Sequence, residues 1–275
     1  MQRILIVINA HSPDLESINF ACKMAEAAKS KLIGLLVENL YFNYIPTGGL
    51  EAPYFEAYRV QSNEAVVADV SQATTIFKEQ CRLKGITPDI ILDKGDPIEE
   101  IVFESRFADL VIIDPDLSFH DKEEQSPSHF VKEVLAKAEC PVLLAPEKFD
   151  RVDEIVFCYD GSPSSMFALK QFTYALPEFR NKNVTLLRVS KQSQIEFHES
   201  DRRVMEWLRA HYPSVCYHAL NGDAEDELFN YFFLSEHKLI VMGAYGRSML
   251  SNFFRKSNAD VLIRMVDLPL FITHK

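Results

Sequence analysis

Two glycines three residues apart, Gly243 and Gly246, are the residues of this sequence best suited to binding an anion. They follow the apolar stretch 239–242, and Ser257 comes 11 residues after the second glycine, where an amphipathic segment begins. Glycine lets backbone N–H groups approach a phosphate, and a helix start adds unpaired donors and the positive end of the helix dipole. The stretch therefore predicts an anion-binding turn. A lone G-x-x-G pair is weak, so a plain turn is the alternative.

The elements that must position these glycines can be read from hydrophobic periodicity. The first 148 residues contain short apolar, β-type runs separated by helical patterns. These runs are 4–8, 31–38, 89–93, 110–113 and 142–145. Ser12-Pro13 and Asp96-Pro97 are typical of helix starts, with Ser12 and Asp96 as N-caps. Strands that alternate with helices in this way predict a parallel, doubly wound α/β domain.

The second half of the chain repeats this order of elements, with Ser162-Pro163 as its first helix start. Three matches support the repeat: 221–223 with 94–96, 239–242 with 111–114, and 268–270 with 140–142. The fold class predicted is α/β, with two tandem doubly wound domains, each a five-stranded parallel sheet flanked by helices. We place the domains at residues 1–148 and 149–275, because the polar connection 147–153 follows the fifth strand.

The repeated pattern resembles the universal stress protein family in its tandem, two-domain form, which is Rossmann-like and similar to the adenine nucleotide alpha hydrolases. Nucleotide-binding members carry an acidic residue after the first strand and a G-x2-G-x9-G-[ST] signature before the last helix. The second half reads Asp160-Gly161-Ser162, then Gly243-x2-Gly246, nine residues and Lys256-Ser257. The resemblance covers nearly the whole chain. Lys256 departs from the pattern, because it stands where the third glycine is expected.

The resemblance implies a base-binding side for this site. Asp160, in the turn with Gly161 and Ser162, would face the adenine, and Val189 at the end of the second strand would line the base pocket. Asp160 has two other interpretations. It could cap the following turn, or it could be a phosphatase nucleophile, which we disfavour because Ser162 stands where that motif needs a second aspartate.

The resemblance also implies a phosphate-binding side. Gly243 and Gly246 would bring the backbone close to the ribose and phosphates, and Ser257 would bond a phosphate from the helix start. Arg247 could neutralise phosphate charge, although exposed arginines are more often solvated surface. Lys256 has two opposite interpretations: its side chain obstructs the phosphates, or its ammonium binds them.

The signature is lost in the first half. Asn9 replaces the acidic residue, Pro115 and Ser118 stand at the two glycine positions, and Ser128-His129 closes the segment. Proline lacks an N–H group. Three aspartates also add negative charge there: Asp114, Asp116 and Asp121. We therefore expect no ATP binding of the family's kind in the first half.

Composition excludes several function classes. The net charge of −11 and pI near 5.2 argue against nucleic acid as a partner. No apolar stretch approaches the roughly 18 to 20 residues of a membrane span, and the N-terminus does not resemble a signal peptide, so we expect no membrane partner and a cytoplasmic location. The five scattered cysteines are expected to be buried hydrophobes rather than metal ligands or disulfides.

The functional expectation is a cytoplasmic stress-response protein whose second domain binds ATP or a related adenine nucleotide. No metal is predicted beyond Mg²⁺ that accompanies ATP. No catalytic residues are identified, so we expect no enzyme, with a slow ATPase as a remote option. The alternative is a tandem stress protein that binds no nucleotide and acts as a protein-interaction module.

Assembly can also be predicted. The stretch 268–272 is an apolar edge that would invite association if it were unpaired. In the family that the chain resembles, this strand pairs with its equivalent in another domain, so the resemblance implies that 268–272 pairs with 142–145. The two halves would then form an internal pseudo-dimer, with room for a homodimer of chains. The aromatic segment from Tyr41 to Tyr58 either folds over its own domain as a loop before a helix, or binds an apolar ligand or a partner.

Overall fold

The structure is a computed structural model, and it describes residues 1–37, 52–93, 95–119, 124, 126–191, 197–243 and 267–273. Within these ranges the side chains of residues 52–67, Asp93 and Glu225 are not described. Of the predicted site residues, Gly246, Arg247, Lys256 and Ser257 lie outside the described residues.

The first half contains the predicted alternation of strands and helices. Its elements are β1 (Arg3–Asn9), α1 (Leu15–Ala28), β2 (Lys31–Val37), α2 (Ala52–Leu83), β3 (Asp89–Asp93), α3 (Pro97–Ser105), β4 (Leu110–Ile113), α4 (His129–Lys137) and β5 (Val142–Leu144). Helix α2 begins at Ala52, so residues 52–58 of the aromatic segment are helical rather than part of a loop. The rest of that segment lies outside the described residues.

The second half repeats the order. Its elements are β6 (Glu154–Cys158), α5 (Pro163–Ala175), a 3₁₀ turn (Pro177–Phe179), β7 (Asn183–Ser190), α6 (Glu199–Arg209), β8 (Ser214–Asn221), α7 (Ala224–Phe232), β9 (Lys238–Gly243) and β10 (Leu270–Thr273). The helix predicted to begin at Ser257 falls outside the described residues.

The strands form one ten-stranded sheet in the order β3-β2-β1-β4-β5-β10-β9-β6-β7-β8. Within each half all neighbouring strands are parallel. A parallel sheet needs cover on both faces, which explains why the central strands are apolar along their whole length. Five of the seven residues of β1 are fully buried. The predicted α/β fold is confirmed.

The two halves meet at β5 and β10, the strands that were predicted to pair. β5 and β10 pair antiparallel, with Leu270 opposite Leu144 and Ile272 opposite Val142. This pairing buries the apolar edge of both strands, and the predicted contact between them is observed. The division of the chain at residue 148 stays a prediction.

The connection between the halves packs against the first of them. Phe149 makes an edge contact with Phe20 of α1, with ring centroids 4.8 Å apart. The ammonium of Lys23 donates to the carbonyl oxygen of Phe149 at 2.6 Å. The connection is therefore anchored at both its ring and its backbone.

The two helix starts predicted in the first half, at Asp96-Pro97 and at Ser12-Pro13, differ in which residue is the N-cap. Asp96 caps α3 as predicted, its Oδ1 accepting from the N–H groups of Ile98 and Glu99. The prediction that Ser12 caps the first helix is wrong: Asp14 is the N-cap, and its Oδ2 accepts from the N–H of Ser17 at 2.7 Å. Helix α1 begins two residues after Pro13, so this proline precedes the cap instead of following it.

The helices of the ranges given above differ from membrane-spanning helices. None of them combines the length and the apolar character needed to cross a bilayer.

Candidate functional site

The strand order creates a crevice in the second half. β6 lies between β9 and β7. The chain runs outward from β6 through β7 to β8 and then crosses to β9 on the other side of β6, so the direction of the connections reverses at β6. In open parallel sheets, ligands bind beyond the carboxyl ends of the two strands that flank such a switch point. Here these strands are β6 and β9. The residues that follow them are Asp160 to Ser162 and Gly243, which places these predicted residues at one edge of the sheet.

The turn after β6 is built by three successive residues. Asp160 is exposed, and its Oδ1 accepts from the N–H of Ser162 at 2.8 Å. Gly161 has a φ of 87°, a left-handed conformation that glycine adopts without strain. Ser162 is the N-cap of α5, as predicted, and its Oγ accepts from the N–H of Ser165 at 3.1 Å. Asp160 therefore does cap the turn, and this hydrogen bond occupies one of its two carboxylate oxygens.

Gly243 brings the end of β9 against the first turn of α5. A Cβ atom at this position would lie 2.6 Å from the carbonyl carbon and oxygen of Ser164 and 2.8 Å from the nitrogen of Ser165. Backbone atoms cannot move aside as a flexible side chain can, so only glycine fits here. This contact is a packing reason for the glycine that the sequence motif did not predict; the predicted approach of Gly243 to a ribose or phosphate stays a prediction.

Val189 lies near the carboxyl end of β7, where it pairs with Leu220 of β8. It is partly buried and packs against the apolar cluster that includes Leu187 and Cys158. Because β7 is the neighbour of β6, Val189 is placed at the same edge of the sheet as Asp160.

An ion pair beside this turn was missed by the sequence reasoning. The guanidinium of Arg188 bonds the carboxylate of Asp201 on α6, which has no exposed surface. Asp201 also accepts from the N–H of His198 at 3.0 Å and from the hydroxyl of Tyr217 at 3.3 Å. A Cβ at Gly161 would lie 3.8 Å from Nη2 of Arg188. The pair therefore places a cation next to the Asp160 turn.

A sequence signal for this pair exists. Arg188 interrupts an otherwise apolar strand pattern, and a charge within such a pattern needs a buried partner. The partner could not be identified, because Asp201 lies on a different element whose position depends on tertiary packing.

The sheet register corrects the equivalence between the halves. Ile4 pairs with Leu110, and its counterpart Ile155 pairs with Leu239. Counting along each strand then places Asp114, not Pro115, at the position of Gly243. The prediction for Pro115 is wrong by one residue, because a short run that is apolar throughout gives no local marker of register.

The same offset pairs Ser128, not His129, with Ser257 in the sequence. Ser128 is the N-cap of α4: its Oγ accepts from the N–H of Val131 at 3.1 Å and donates to the carbonyl of Leu117 at 2.5 Å. The first half has therefore kept the serine of the motif. The N–H of His129, the first residue of α4, donates to Oε2 of Glu124 at 2.7 Å. An internal carboxylate thus occupies the helix start to which an anion would bind.

The crevice of the first half is small and acidic. A cavity of about 140 Å³ lies between β1 and β4, and carboxylates line it together with Asn9 and Ser118. The side-chain amide of Asn9 donates to the carbonyl of Ser118 at 3.3 Å, which ties the two sides together. Burial raises the pKa of Asp114 to about 6, and the nearby charges of Asp14 and Asp116 act in the same direction. Of the three aspartates predicted here, Asp114 and Asp116 line the cavity, and Asp121 lies outside the described residues.

Histidine, cysteine and carboxylate side chains of the described ranges do not cluster as metal ligands do. These ranges contain no group of three such side chains placed to hold a metal ion.

Solved structures resemble this chain over its whole length. A universal stress protein from Archaeoglobus fulgidus matches with a TM-score of 0.66 at 17% identity, over 98% of both chains. A Pseudomonas aeruginosa protein assigned to the universal stress proteins matches with a TM-score of 0.62 at 14% identity, over 100% of this chain and 93% of its own. A functionally unknown protein from Pseudomonas aeruginosa matches with a TM-score of 0.59 at 16% identity, over 100% and 92%. No protein-family model matches the sequence, and no curated protein matches it.

The strand order and the structural neighbours together define the class of protein. The parallel strand order and the crevice at its switch point are those of a doubly wound α/β protein. The structural neighbours then show which fold of this class is present: the chain has the universal stress protein fold. The predicted resemblance is confirmed at the level of the fold.

Proposed function

We propose that this is a stress-response protein of the universal stress protein family, which binds ATP or a related adenine nucleotide in its second half. The observation that carries the proposal is the contact of Gly243 with the first turn of α5. It brings together the backbone after β9, the start of a helix and the Asp160 turn. At such an edge the backbone and the helix start would supply N–H donors for phosphate, and the Asp160 turn would supply an acceptor for the base or sugar.

Asp160 supplies that acceptor. It is exposed at the crevice, and its second carboxylate oxygen has no hydrogen bond to the described residues. A carboxylate oxygen accepts from the amino group of adenine, in the role that the family resemblance implies. Val189 contributes apolar surface at the same edge. Arg188, held by Asp201, adds positive charge near the turn.

The phosphate side of the proposal comes from the sequence motif. Gly246, Arg247 and Ser257 would contact the phosphates, and Mg²⁺ would accompany ATP. Lys256 would either bind or obstruct them. Turnover is not part of the proposal: the nucleotide is bound, not hydrolysed.

The experiment compares mirror-image substitutions in the two halves. Asp160→Asn keeps the oxygen that accepts from Ser162 but replaces the other acceptor with a donor. Asn9→Asp makes the reverse change at the corresponding position. Calorimetric titration of ATP should show about one site per chain, with affinity lowered at least about tenfold by Asp160→Asn and unchanged by Asn9→Asp. Absence of binding at millimolar ATP would refute the proposal.

A second candidate function is protein interaction without a nucleotide. One observation favours it. A cavity of about 700 Å³ lies between the connection 147–151 and residues 232–238, and the apolar side chains Phe233 and Leu234 at its rim are 61% and 87% exposed. Exposed apolar surface of this kind is common at interaction sites. Pull-down of a partner that is unaffected by ATP and by Asp160→Asn would favour this candidate, and light scattering would detect a homodimer.

A further inference from the structure

Two of the five cysteines lie in contact inside the first half. Cys22 is on α1 and Cys81 is on α2, 59 residues further along the chain, and their Sγ atoms are 3.6 Å apart. Both residues have no exposed surface, and both belong to the apolar core that covers one face of the sheet. The pair therefore links the two helices of this layer.

The other cysteines provide an internal contrast. Cys140 donates its thiol to the carbonyl of Pro141, Cys158 is buried in the second half, and Cys216 is exposed. Within the part of the chain that the structure describes, Cys22 and Cys81 are the thiols that hydrogen-bond to each other.

The environment shifts the pKa values of the two thiols in opposite directions. The hydrogen bond from Cys81 lowers the pKa of Cys22, burial opposes this effect, and the ammonium of Lys84 assists it. The same hydrogen bond, together with burial, raises the pKa of Cys81. Either sulfur can donate this hydrogen bond; with Cys81 as the donor, Cys22 carries the thiolate, which is the reactive form of cysteine, and Cys81 is the thiol that completes the disulfide.

We propose that Cys22 and Cys81 form a reversible oxidation site, in which hydrogen peroxide or another hydroperoxide converts the two thiols to a disulfide. The Cys22 thiolate attacks one peroxide oxygen, the O–O bond breaks, and a sulfenic acid and water result after protonation. The Cys81 sulfur then attacks the Cys22 sulfur, the S–O bond breaks, and a second water leaves. The two sulfurs are oxidised, and the peroxide is reduced to two molecules of water.

Access to the pair is provided by the end of α2. Cys81 lies in its last turn, where the N–H groups of Lys84 and Ile86 bond the Cys81 carbonyl. Helix ends open locally far more easily than helix centres. Peroxide is small enough to enter through such an opening. The exposed Cys216 needs no opening, so it serves as the reference for accessibility.

The cross-link would fasten α1 to α2. Because the disulfide closes a long loop, it restricts the unfolded chain and stabilises the first half. The first turn of α1 carries Asp14, which lines the acidic crevice, so oxidation would also hold one wall of that crevice in place.

The experiment maps the bond in the full-length protein. Reduced protein is treated with hydrogen peroxide under native conditions, remaining thiols are alkylated, and the protein is digested with trypsin. Cleavage should give peptides 4–23 and 79–82, which contain Cys22 and Cys81. We expect these two peptides joined, with a mass two hydrogens below their sum, and separated again by dithiothreitol. Thermal unfolding should shift upward by several degrees on oxidation.

Two variants control the result. Cys22→Ala should lose both the joined peptides and the thermal shift, whereas Cys216→Ser should keep both. If peptides 4–23 and 79–82 stay separate while Cys216 is oxidised, or join only after denaturation, the proposal is overturned. The wild-type peptide map decides the matter even if Cys22→Ala does not fold.

Discussion

The two halves share a strand order but differ at the edge where a ligand would bind. In the second half, Gly243 lets β9 touch the start of α5, and the turn after β6 carries an exposed aspartate. In the first half, Asp114 stands at the position of that glycine, and Glu124 bonds the start of α4. At this edge the second half therefore has a glycine where the first half has a carboxylate, and in the first half a second carboxylate accepts from the start of α4. A duplicated scaffold keeps its core while its loops diverge, because the sheet tolerates changes beyond its edge.

The halves also differ at the second strand. By register, Leu36 of β2 corresponds to Arg188 of β7, since Arg3 pairs with Lys31 and Glu154 with Asn183. Leu36 is buried in the core, whereas Arg188 is bonded to the buried Asp201. At this position the first half buries an apolar side chain, and the second half has an ion pair.

The largest expected effect comes from breaking that ion pair. Asp201→Ala should lower the free energy of unfolding by about 3 kcal/mol or more, because it leaves the guanidinium of Arg188 partly buried without its partner. Urea denaturation measures the change. The control imitates the first half: Arg188→Leu combined with Asp201→Leu should recover most of the loss. If the single variant costs less than the double, the contrast between the halves does not hold.

The next effect concerns the glycine that distinguishes the second half. Gly243→Ala should destabilise the protein by about 2 to 3 kcal/mol, because its Cβ would overlap the backbone of Ser164. Gly95→Ala is the matched control in the first half. There the three atoms nearest to the Cβ belong to the side chain of Glu100 and not to backbone, so the cost should be smaller than at Gly243. Equal costs in a denaturation series would contradict the close packing at Gly243.

A smaller effect tests the acidic crevice of the first half. Burial raises the pKa of Asp114 from 3.8 to about 6, so the folded protein binds this proton more tightly than the unfolded chain. Stability is therefore lost as pH rises from about 4 through 6. Asp114→Asn removes this loss and keeps an oxygen to accept from the N–H of Asp116, which lies at 2.9 Å. We expect a gain of about 1 to 2 kcal/mol at pH 7.5 that vanishes near pH 3.5.

The control for this pH dependence is Asp116→Asn, since Asp116 is exposed at the same crevice. Its gain at pH 7.5 should be much smaller than that of Asp114→Asn, because the Asp116 charge contributes less to the pKa of Asp114 than burial does. A gain from Asp114→Asn that is equal at pH 3.5 and 7.5 would show that packing, not charge, is responsible.

The smallest effect concerns the carboxylate that occupies the start of α4. Glu124→Ala should cost about 0.5 to 1 kcal/mol, because the N–H of His129 loses its partner and the helix dipole loses a favourable charge. Inorganic phosphate should restore part of that stability by binding in place of the carboxylate. Glu133→Ala, in the middle of the same helix and away from its start, should show no response to phosphate. Equal responses would mean that Glu124 does not occupy an anion site.

Much of the fold could be predicted from the sequence, because it depends on local patterns. Apolar runs such as 4–8 mark strands buried on both faces, and Asp96 and Ser162 before proline mark helix starts. The repeat of these patterns predicted two halves with the same order of strands and helices, and the structure joins their strands in one sheet. The register could not be predicted, because residues 110–113 are all apolar and a shift of one residue leaves the pattern unchanged.

The sequence by itself therefore determined the order of elements and the internal repeat, and the family resemblance predicted the pairing of β5 with β10. The contact of Gly243 with α5 was not predicted. Tertiary structure alone decided which residues correspond between the halves, that Glu124 reaches the start of α4, and that Cys22 meets Cys81. The reason is physical. Hydrophobic period and capping act within a few residues of the chain, whereas these contacts join separate elements whose distance is fixed only when helices pack on the sheet.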